Sequence, residues 1–449
     1  MAQCSAFQLQ VIFFMLAIVG YSGLVTSASS KYFMTSWGGL SSLAAMAVKR
    51  DETLPRGTHQ QNTVTVRLRQ SLGGHQHPAT VISFSPDGRI VMTASGEKTA
   101  KLWDAETGQL KLTLVDEKSV IKAIFSKDEN TVATVSKNNT VKLWSVETGQ
   151  LKATLTTQKA FQWQIGFSPD GQTLLTTSDD KTARLWDAQT GKLKATLAGH
   201  KYDFVSAHFS PDGQTVVTSS GWGDKRARLW DTKTGELKWV FSHDQAVNDA
   251  IFSPDGQVVA TQSLDTVKLW DVRTGQLKVT FAGHQSSIYH MKFSSDGRLL
   301  ATASRDGTAK VWDIATGRLQ NTLRGGNQIA RRVAFSPDGQ TLAVGYLNEV
   351  RLWDVATGQL KATLRGHKEA KKTVLFGTYL DGIEISFSPD GRVLVTTRDK
   401  SVKVWDARSG ELITTLDDAR PPIAFSPDGR VLATAGEKNT VLLWDVVVR

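Results

Sequence analysis

Cysteine is nearly absent from this chain. Of 449 residues only Cys4 carries a thiol, which excludes an internal disulfide framework and a cysteine-ligated zinc site. The chain also lacks a His-Glu-x-x-His pair and a phosphate-binding glycine loop ending in Gly-Lys-Ser/Thr. Asp-Gly pairs recur, but the neighbouring acidic ligands of a calcium loop are missing, so the pairs read as turns. No metal and no cofactor is therefore expected. Long apolar runs are scarce too. The one candidate, Val11–Gly20, is short for a full membrane span. Acidic residues are missing from the first fifty positions, the first being Asp51.

That N-terminal stretch departs from everything after it. Small residues at Thr26-Ser27-Ala28-Ser29-Ser30 follow the apolar run, a pattern that resembles a secretory signal peptide cleaved near Ala28. No Lys or Arg precedes the run, and Lys31 follows it, a bias that suits an uncleaved anchor with the next segment left in the cytoplasm. The shortage of acids also allows an organellar transit segment. Residues 1–28 are thus a signal peptide or a membrane anchor. Residues 29–62 are a linker broken by Gly38-Gly39, Ser41-Ser42 and Pro55. A secretory or membrane-associated location is favoured, with organellar or cytoplasmic placement as alternatives.

From about residue 63 the chain repeats itself. A tryptophan ends a short apolar run at Trp103, Trp144, Trp186, Trp230, Trp270, Trp312, Trp353, Trp405 and Trp444. Aspartate follows each except Trp144, which precedes Ser145. The period is about forty residues, that of a four-stranded propeller blade. Within a unit, Ile288–Phe293 reads as a strand, Ser294-Ser295-Asp296-Gly297 as a turn and Arg298–Ser304 as a strand. Thr308–Trp312 and Leu319–Leu323 are the remaining two. In most units the turn is Ser-Pro-Asp-Gly. There Pro presets the second position and Gly takes the left-handed conformation of a tight hairpin.

These units resemble the WD-repeat family over residues 63–449. The resemblance implies an all-β fold, a single closed β-propeller of four-stranded blades. Nine units predict nine blades, with eight and a displaced unit as the alternative. The strand Thr63–Gln70 has no unit of its own, and the last unit ends shortly after Trp444. The N-terminal strand is therefore expected to complete the last blade and close the ring.

The resemblance also implies a hydrogen-bonded set of His, Ser/Thr, Asp and Trp in each blade. Here the full set falls on His284, Ser304, Asp306 and Trp312. Ser, His and Asp together suggest a catalytic triad, but recurrence along the chain and the inclusion of Trp mark the set as structural. Other units depart from it, with Glu97, Asn138, Asn348 or Lys438 at the Asp position and no matching His before Asp180. Blades two, three, seven and nine are accordingly expected to depend more on packing.

Function is sought where the units differ. The residue four before the Phe of each first strand is Thr80, Ile121, Trp163, Val205, Asn248, Tyr289, Arg331, Ile383 or Pro421. In the family this position lies near the central channel, on the face that carries the loops. Trp, Tyr and Arg are the usual energetic anchors of protein interfaces. Phe161, Trp163, Tyr202, Tyr289, Arg305, Arg331, Arg332 and Arg398 are therefore the candidate partner-binding residues. Trp222, in Gly221-Trp222-Gly223, and the insertion between His367 and Phe387 join them. The net charge of +10 raises nucleic acid or an anionic membrane as a partner. Much of that charge is spread one residue per blade over Lys111, Lys152, Lys194, Lys238, Lys278 and Lys361, which reads as a solvated rim. The expected role is a non-enzymatic scaffold for a protein or peptide, with nucleic acid disfavoured. A secreted or lumenal enzyme or carbohydrate-binding propeller, and a nucleic-acid or anionic-membrane binder acting through the basic loop cluster of Arg331-Arg332 and Lys368–Lys372, are the alternatives.

Overall fold

The Ser-Pro-Asp-Gly stretch closes a hairpin for reasons visible atom by atom. In Ser336–Gly339 the Ser336 hydroxyl donates to Asp338 Oδ1 at 2.5 Å, and Asp338 Oδ1 accepts Gln340 N–H at 3.0 Å. Ser336 Oγ in turn accepts Thr341 N–H at 2.9 Å. Gly339 sits at φ +71°, where a Cβ would be strained. The second turn of each unit uses the Asp after the Trp. Asp313 Oδ1 accepts both the backbone N–H and the hydroxyl of Thr316 at 2.7 Å.

The structure is a computed structural model. It describes residues 64–155, 162–202, 206–221, 223–326, 328–367, 374–375, 378–379, 383–398 and 400–448. The expectations for 1–28 and 29–62, for Phe161 and Trp222, and for most of the insertion between His367 and Phe387, fall outside the described residues.

Val64–Arg449 form one unit, built from nine four-stranded antiparallel sheets. Blade 6 is typical: Ile288–Phe293, Leu299–Ser304, Thr308–Asp313 and Leu319–Arg324 lie side by side in that order. Blades 1–5 and 7–8 repeat it, starting at Ala79, Val120, Gln162, Ser206, Asp249, Arg332 and Glu384. Blade 9 takes three strands from the C-terminus, Arg420–Phe425, Val431–Ala435 and Val441–Val448. Val64–Leu72 is its outer strand, pairing antiparallel with the last of them. The ring therefore has nine blades, not eight, and the N-terminal strand closes it.

Burial follows the strand order. Second and third strands are buried almost throughout, and the fourth keeps only its inward residues covered. Each of nine apolar clusters spans the seam between two consecutive blades, the last joining blade 9 to blade 1. At every seam the Trp of one blade shares a cluster with the fourth-strand residue of the preceding one. Phe281 stacks on Trp312 with centroids 4.8 Å apart, and Phe241 stacks on Trp270 at 5.0 Å. Trp103 of blade 1 finds its partner in Leu72 of the closing strand. Nine tryptophans need nine such partners, and the ring supplies the ninth only by closing.

The closing strand also carries the signature of a fourth strand. Leu68-Arg69-Gln70-Ser71-Leu72 matches Leu110-Lys111-Leu112-Thr113-Leu114 residue for residue in role. Arg69 Nε donates to Asp445 at 2.6 Å, as Lys111 Nζ does to Asp104 at 3.0 Å. The rim lysines are thus occupied with local bonds. Lys238 and Lys278 lie near Asp231 and Asp271, while Lys152, Lys194 and Lys361 each donate to a threonine hydroxyl at 2.9 Å.

Candidate functional site

The polar set of blade 6 is buried and continuous. Trp312 Nε1–H donates to Thr302 Oγ1 at 3.0 Å, and Thr302 Oγ1 lies 2.8 Å from His284 Nε2. His284 Nδ1 lies 2.8 Å from Asp306 Oδ2. With the proton on Nδ1, the imidazole donates to Asp306 and accepts from Thr302, so every group is satisfied. Burial holds the His284 pKa below its ordinary value, against the pull of Asp306, and the ring is neutral. Burial raises the Asp306 pKa, but hydrogen bonds from Thr308, Gln285 N–H and His284 outweigh it and hold the group at about 2.

The hydroxyl in this line is Thr302, which corrects the expectation of Ser304. Both lie on one face of the second strand, two residues apart. Ser304 Oγ donates instead to Ser286 O at 2.9 Å and ties down the loop leading into the blade. No nucleophile is free here: the threonine is fully buried and bonded on both sides. The arrangement holds strands together.

Other blades vary the set. Blades 1 and 4 keep it complete as His75–Glu97–Thr93–Trp103 and His200–Asp224–Thr218–Trp230. Blade 2 replaces the histidine with buried Asp116, bonded to Ser136 at 2.6 Å and paired with buried Lys142 at 3.0 Å. It therefore keeps a polar network where a greater dependence on packing was expected. Blade 7 lacks the set. Val344 stands where the threonine would be, fully buried Tyr346 packs over Gly325, and buried Glu349 pairs with Arg351 at 2.7 Å and Arg365 at 3.0 Å.

The first strands lie at the inner edge of each sheet and line the channel. They run from a lead-in loop on one face, the loop face, to the Ser-Pro-Asp-Gly turn on the other, the turn face. Strand pairing in blades 1, 2, 3 and 6 breaks at one residue, a β-bulge that falls on Thr80, Ile121, Trp163 and Tyr289. A bulge leaves its residue unpaired and re-aims its side chain. Tyr289 is consequently 40% exposed. Blade 8 has no such bulge, and Ile383 is buried.

Tyr202, in the lead-in loop of blade 4, is 41% exposed. Its hydroxyl lies 2.8 Å from where a Cβ on Gly223 would stand, so that glycine, at φ +114°, lets the ring rest on the neighbouring loop. Arg305 is exposed on the loop face of blade 6. Arg331 is half-buried, with its backbone N–H on Gly345 O. Arg332 points along the channel wall, 3.5 Å from Glu384. Arg398 is the exception among the candidates. It is 4% exposed and donates to Leu347 O and, at 2.7 Å, to Asn348 Oδ1 of blade 7. It bridges two blades and is not available to a partner. The structure thus brings Tyr202, Tyr289 and Arg305 to the loop face and removes Arg398.

Three polar residues of the first strands, Gln164, Asp249 and His290, were missed by the sequence reading. Gln164 Oε1 accepts Ala207 N–H of the next blade at 3.1 Å, and His290 Nδ1 accepts Val333 N–H at 3.4 Å. Asp249 takes the Ser206 hydroxyl at 3.4 Å. These polar side chains belt the channel by joining adjacent first strands. Among the described residues no group of His, Cys, Asp and Glu is arranged to hold a metal ion.

Two family models match the chain. The WD domain, G-beta repeat, matches residues 66–104, 108–145, 317–354, 358–406 and 411–445, and the IFT122 first beta-propeller matches residues 161–331. The chain belongs to the WD-repeat β-propeller family, whose members generally serve as protein-interaction scaffolds. Among curated proteins it is similar to Protein Mut11 of Chlamydomonas reinhardtii, 38% identical over 13% of this chain. It is also similar to a WD repeat-containing protein WDS homolog of Arabidopsis thaliana, 40% identical over 11% of this chain. The matches span only 15% and 9% of those proteins' own lengths. The crystal structure of the computationally designed Ika8 protein aligns with a TM-score of 0.55 at 26% identity, covering 84% of this chain and 99% of that one.

Proposed function

We propose that the chain is a non-enzymatic scaffold that receives a protein or peptide on its loop face. The observation that carries this reading is the pair Tyr202 and Tyr289, each about two-fifths exposed on the loop face. A β-bulge re-aims Tyr289 outward, and exposed tyrosine supplies broad contact area at small entropic cost. The complete polar sets of blades 1, 4 and 6 give no support to an enzyme, because their hydroxyls and imidazoles are buried and mutually satisfied. The rim lysines are engaged in local bonds, which weakens the case for nucleic acid. Tyr202→Ala with Tyr289→Ala tests the reading. Partner capture from the native cell should fall while thermal stability stays within about 1 kcal/mol of the parent. Unchanged capture would reject the loop face as the site.

The compartment belongs to the same proposal. The apolar segment at Val11–Gly20 supports a secretory or membrane-associated location. N-terminal sequencing of the protein from its native cell should give a start near Ser29, or an intact chain in the membrane fraction. An intact chain in the soluble fraction would contradict both.

A further inference from the structure

On the turn face six prolines clasp consecutive blades. Pro169, Pro211, Pro254, Pro337, Pro389 and Pro427 each rest against the turn glycine of the next blade, 3.2–3.4 Å from where its Cβ would be. At the seam between blades 6 and 7 the clasp is missing. Ser295 stands where the proline would be, and nothing lies within 4 Å of the corresponding point on Gly339. Ser295 Oγ donates to Pro337 O at 2.5 Å and leaves the seam otherwise unfilled.

A groove of about 490 Å³ opens at that place, along the first strands of blades 6, 7 and 8. Phe293, Phe335, Phe387, Pro337 and Pro389 give it apolar walls. Its charged groups are Lys292 and Arg332. The residue just before the first-strand Phe is Ser83, Ile124, Gly166, His208, Ile251, Lys292, Ala334, Ser386 or Ala424, so a lysine stands there in blade 6 alone. Lys292 is exposed and makes no hydrogen bond or ion pair among the described residues. Arg332 has only the long, half-exposed pair with Glu384. The volume lies in the range of small-ligand and short-peptide sites, which are mostly apolar with a few placed polar groups.

From the unfilled seam, the apolar walls and the unpaired Lys292, we infer that this groove holds an acidic peptide segment. Its apolar side chains would lie on the phenylalanines, and its carboxylates would meet Lys292 and Arg332. A cation with no partner of its own, set beside apolar walls, gains most from a carboxylate that arrives with apolar neighbours. The groove lies at the turn-face end of the channel. It is separate from Tyr202 and Tyr289, so it extends the proposed scaffold role without depending on the loop-face site.

The test uses the purified full chain and a fluorescein-labelled peptide of about ten residues alternating Leu and Glu, read by fluorescence anisotropy. Saturable binding that weakens with added salt is expected, and a Leu-Lys peptide of the same length should not bind. Lys292→Glu should weaken binding by about tenfold or more. Ser295→Pro, which rebuilds the clasp used at six other seams, should also weaken it. It remains informative even if the charge reversal unfolds the chain. Tyr202→Ala with Tyr289→Ala should leave this binding intact, which separates failure here from failure of the loop-face reading. Equal binding of the acidic and basic peptides would overturn the inference. So would unchanged binding in Ser295→Pro, or no saturable binding up to about 1 mM.

Discussion

Replacing Thr302 by valine removes one hydroxyl and almost no volume, so it isolates the hydrogen-bonded line from packing. In the native blade that hydroxyl accepts from Trp312 Nε1 at 3.0 Å and meets His284 Nε2 at 2.8 Å. Trp312 and His284 are 4% and 6% exposed, so water reaches neither orphan. An unsatisfied buried polar group costs about 1–3 kcal/mol. Two such groups put the loss at about 2–6 kcal/mol, with the lower end expected if His284 shifts toward solvent. Ser304→Ala is the control. It breaks the bond to Ser286 O at 2.9 Å and should cost about 0.5–1.5 kcal/mol. Both are read from the urea midpoint by tryptophan fluorescence, with the slope checked for constancy. Thr302→Val costing no more than Ser304→Ala would refute the assignment of Thr302 to the line. Blade 7 shows how the fold can do without the hydroxyl. There Val344 faces Trp353, whose Nε1 has no partner, and Gly326 has replaced the histidine that would have been orphaned.

Three further outcomes follow from the same geometry. Burial holds His200, His243, His290 and His367 at about 4, below the ordinary 6.5, so the unfolded chain binds more protons than the folded one between those values. Stability should therefore fall as pH drops from 6.5 to 4, and Glu97 and Asp306, held at about 2 against ordinary values of 4.5 and 3.8, add to the loss as pH falls further. A flat urea midpoint between pH 7 and 5 would contradict this. Leu72→Ala should cost about 2–5 kcal/mol, like a core leucine of any blade, because Leu72 packs with Trp103 across the closing seam. A negligible loss would show that the N-terminal strand does not close the ring. Trp312→Ala should cost about 3–5 kcal/mol, with a thermal melt as the readout.

The fold was legible because its two strongest constraints are written locally. The turn chemistry of Ser-Pro-Asp-Gly recurs in most units, and the buried Trp in all nine. The closing strand was legible as a strand, and Leu68–Leu72 repeats the fourth-strand pattern closely enough to have placed it in blade 9. What sequence could not resolve were one-residue details. Thr302 and Ser304 share a strand face, and only the cross-strand position of Trp312 selects the threonine. Arg398 was misplaced because the blade 8 hairpin is one residue shorter. There Thr396 and the Trp405 it serves are nine apart, whereas Thr302 and Trp312 are ten apart. The β-bulge under Tyr289 and the unfilled seam at Ser295 are properties of register and of neighbouring blades, which a single unit does not display.

The most direct test of the scaffold account is site-specific photo-crosslinking in the native cell. A benzoylphenylalanine placed at Tyr289 on the loop face is compared with one at Leu151 on the outer rim, both exposed positions. The account requires a discrete crosslinked protein from position 289 that is absent from position 151 and diminished by Tyr202→Ala. The same crosslinks from both positions, or none from 289, would contradict a binding site on the loop face.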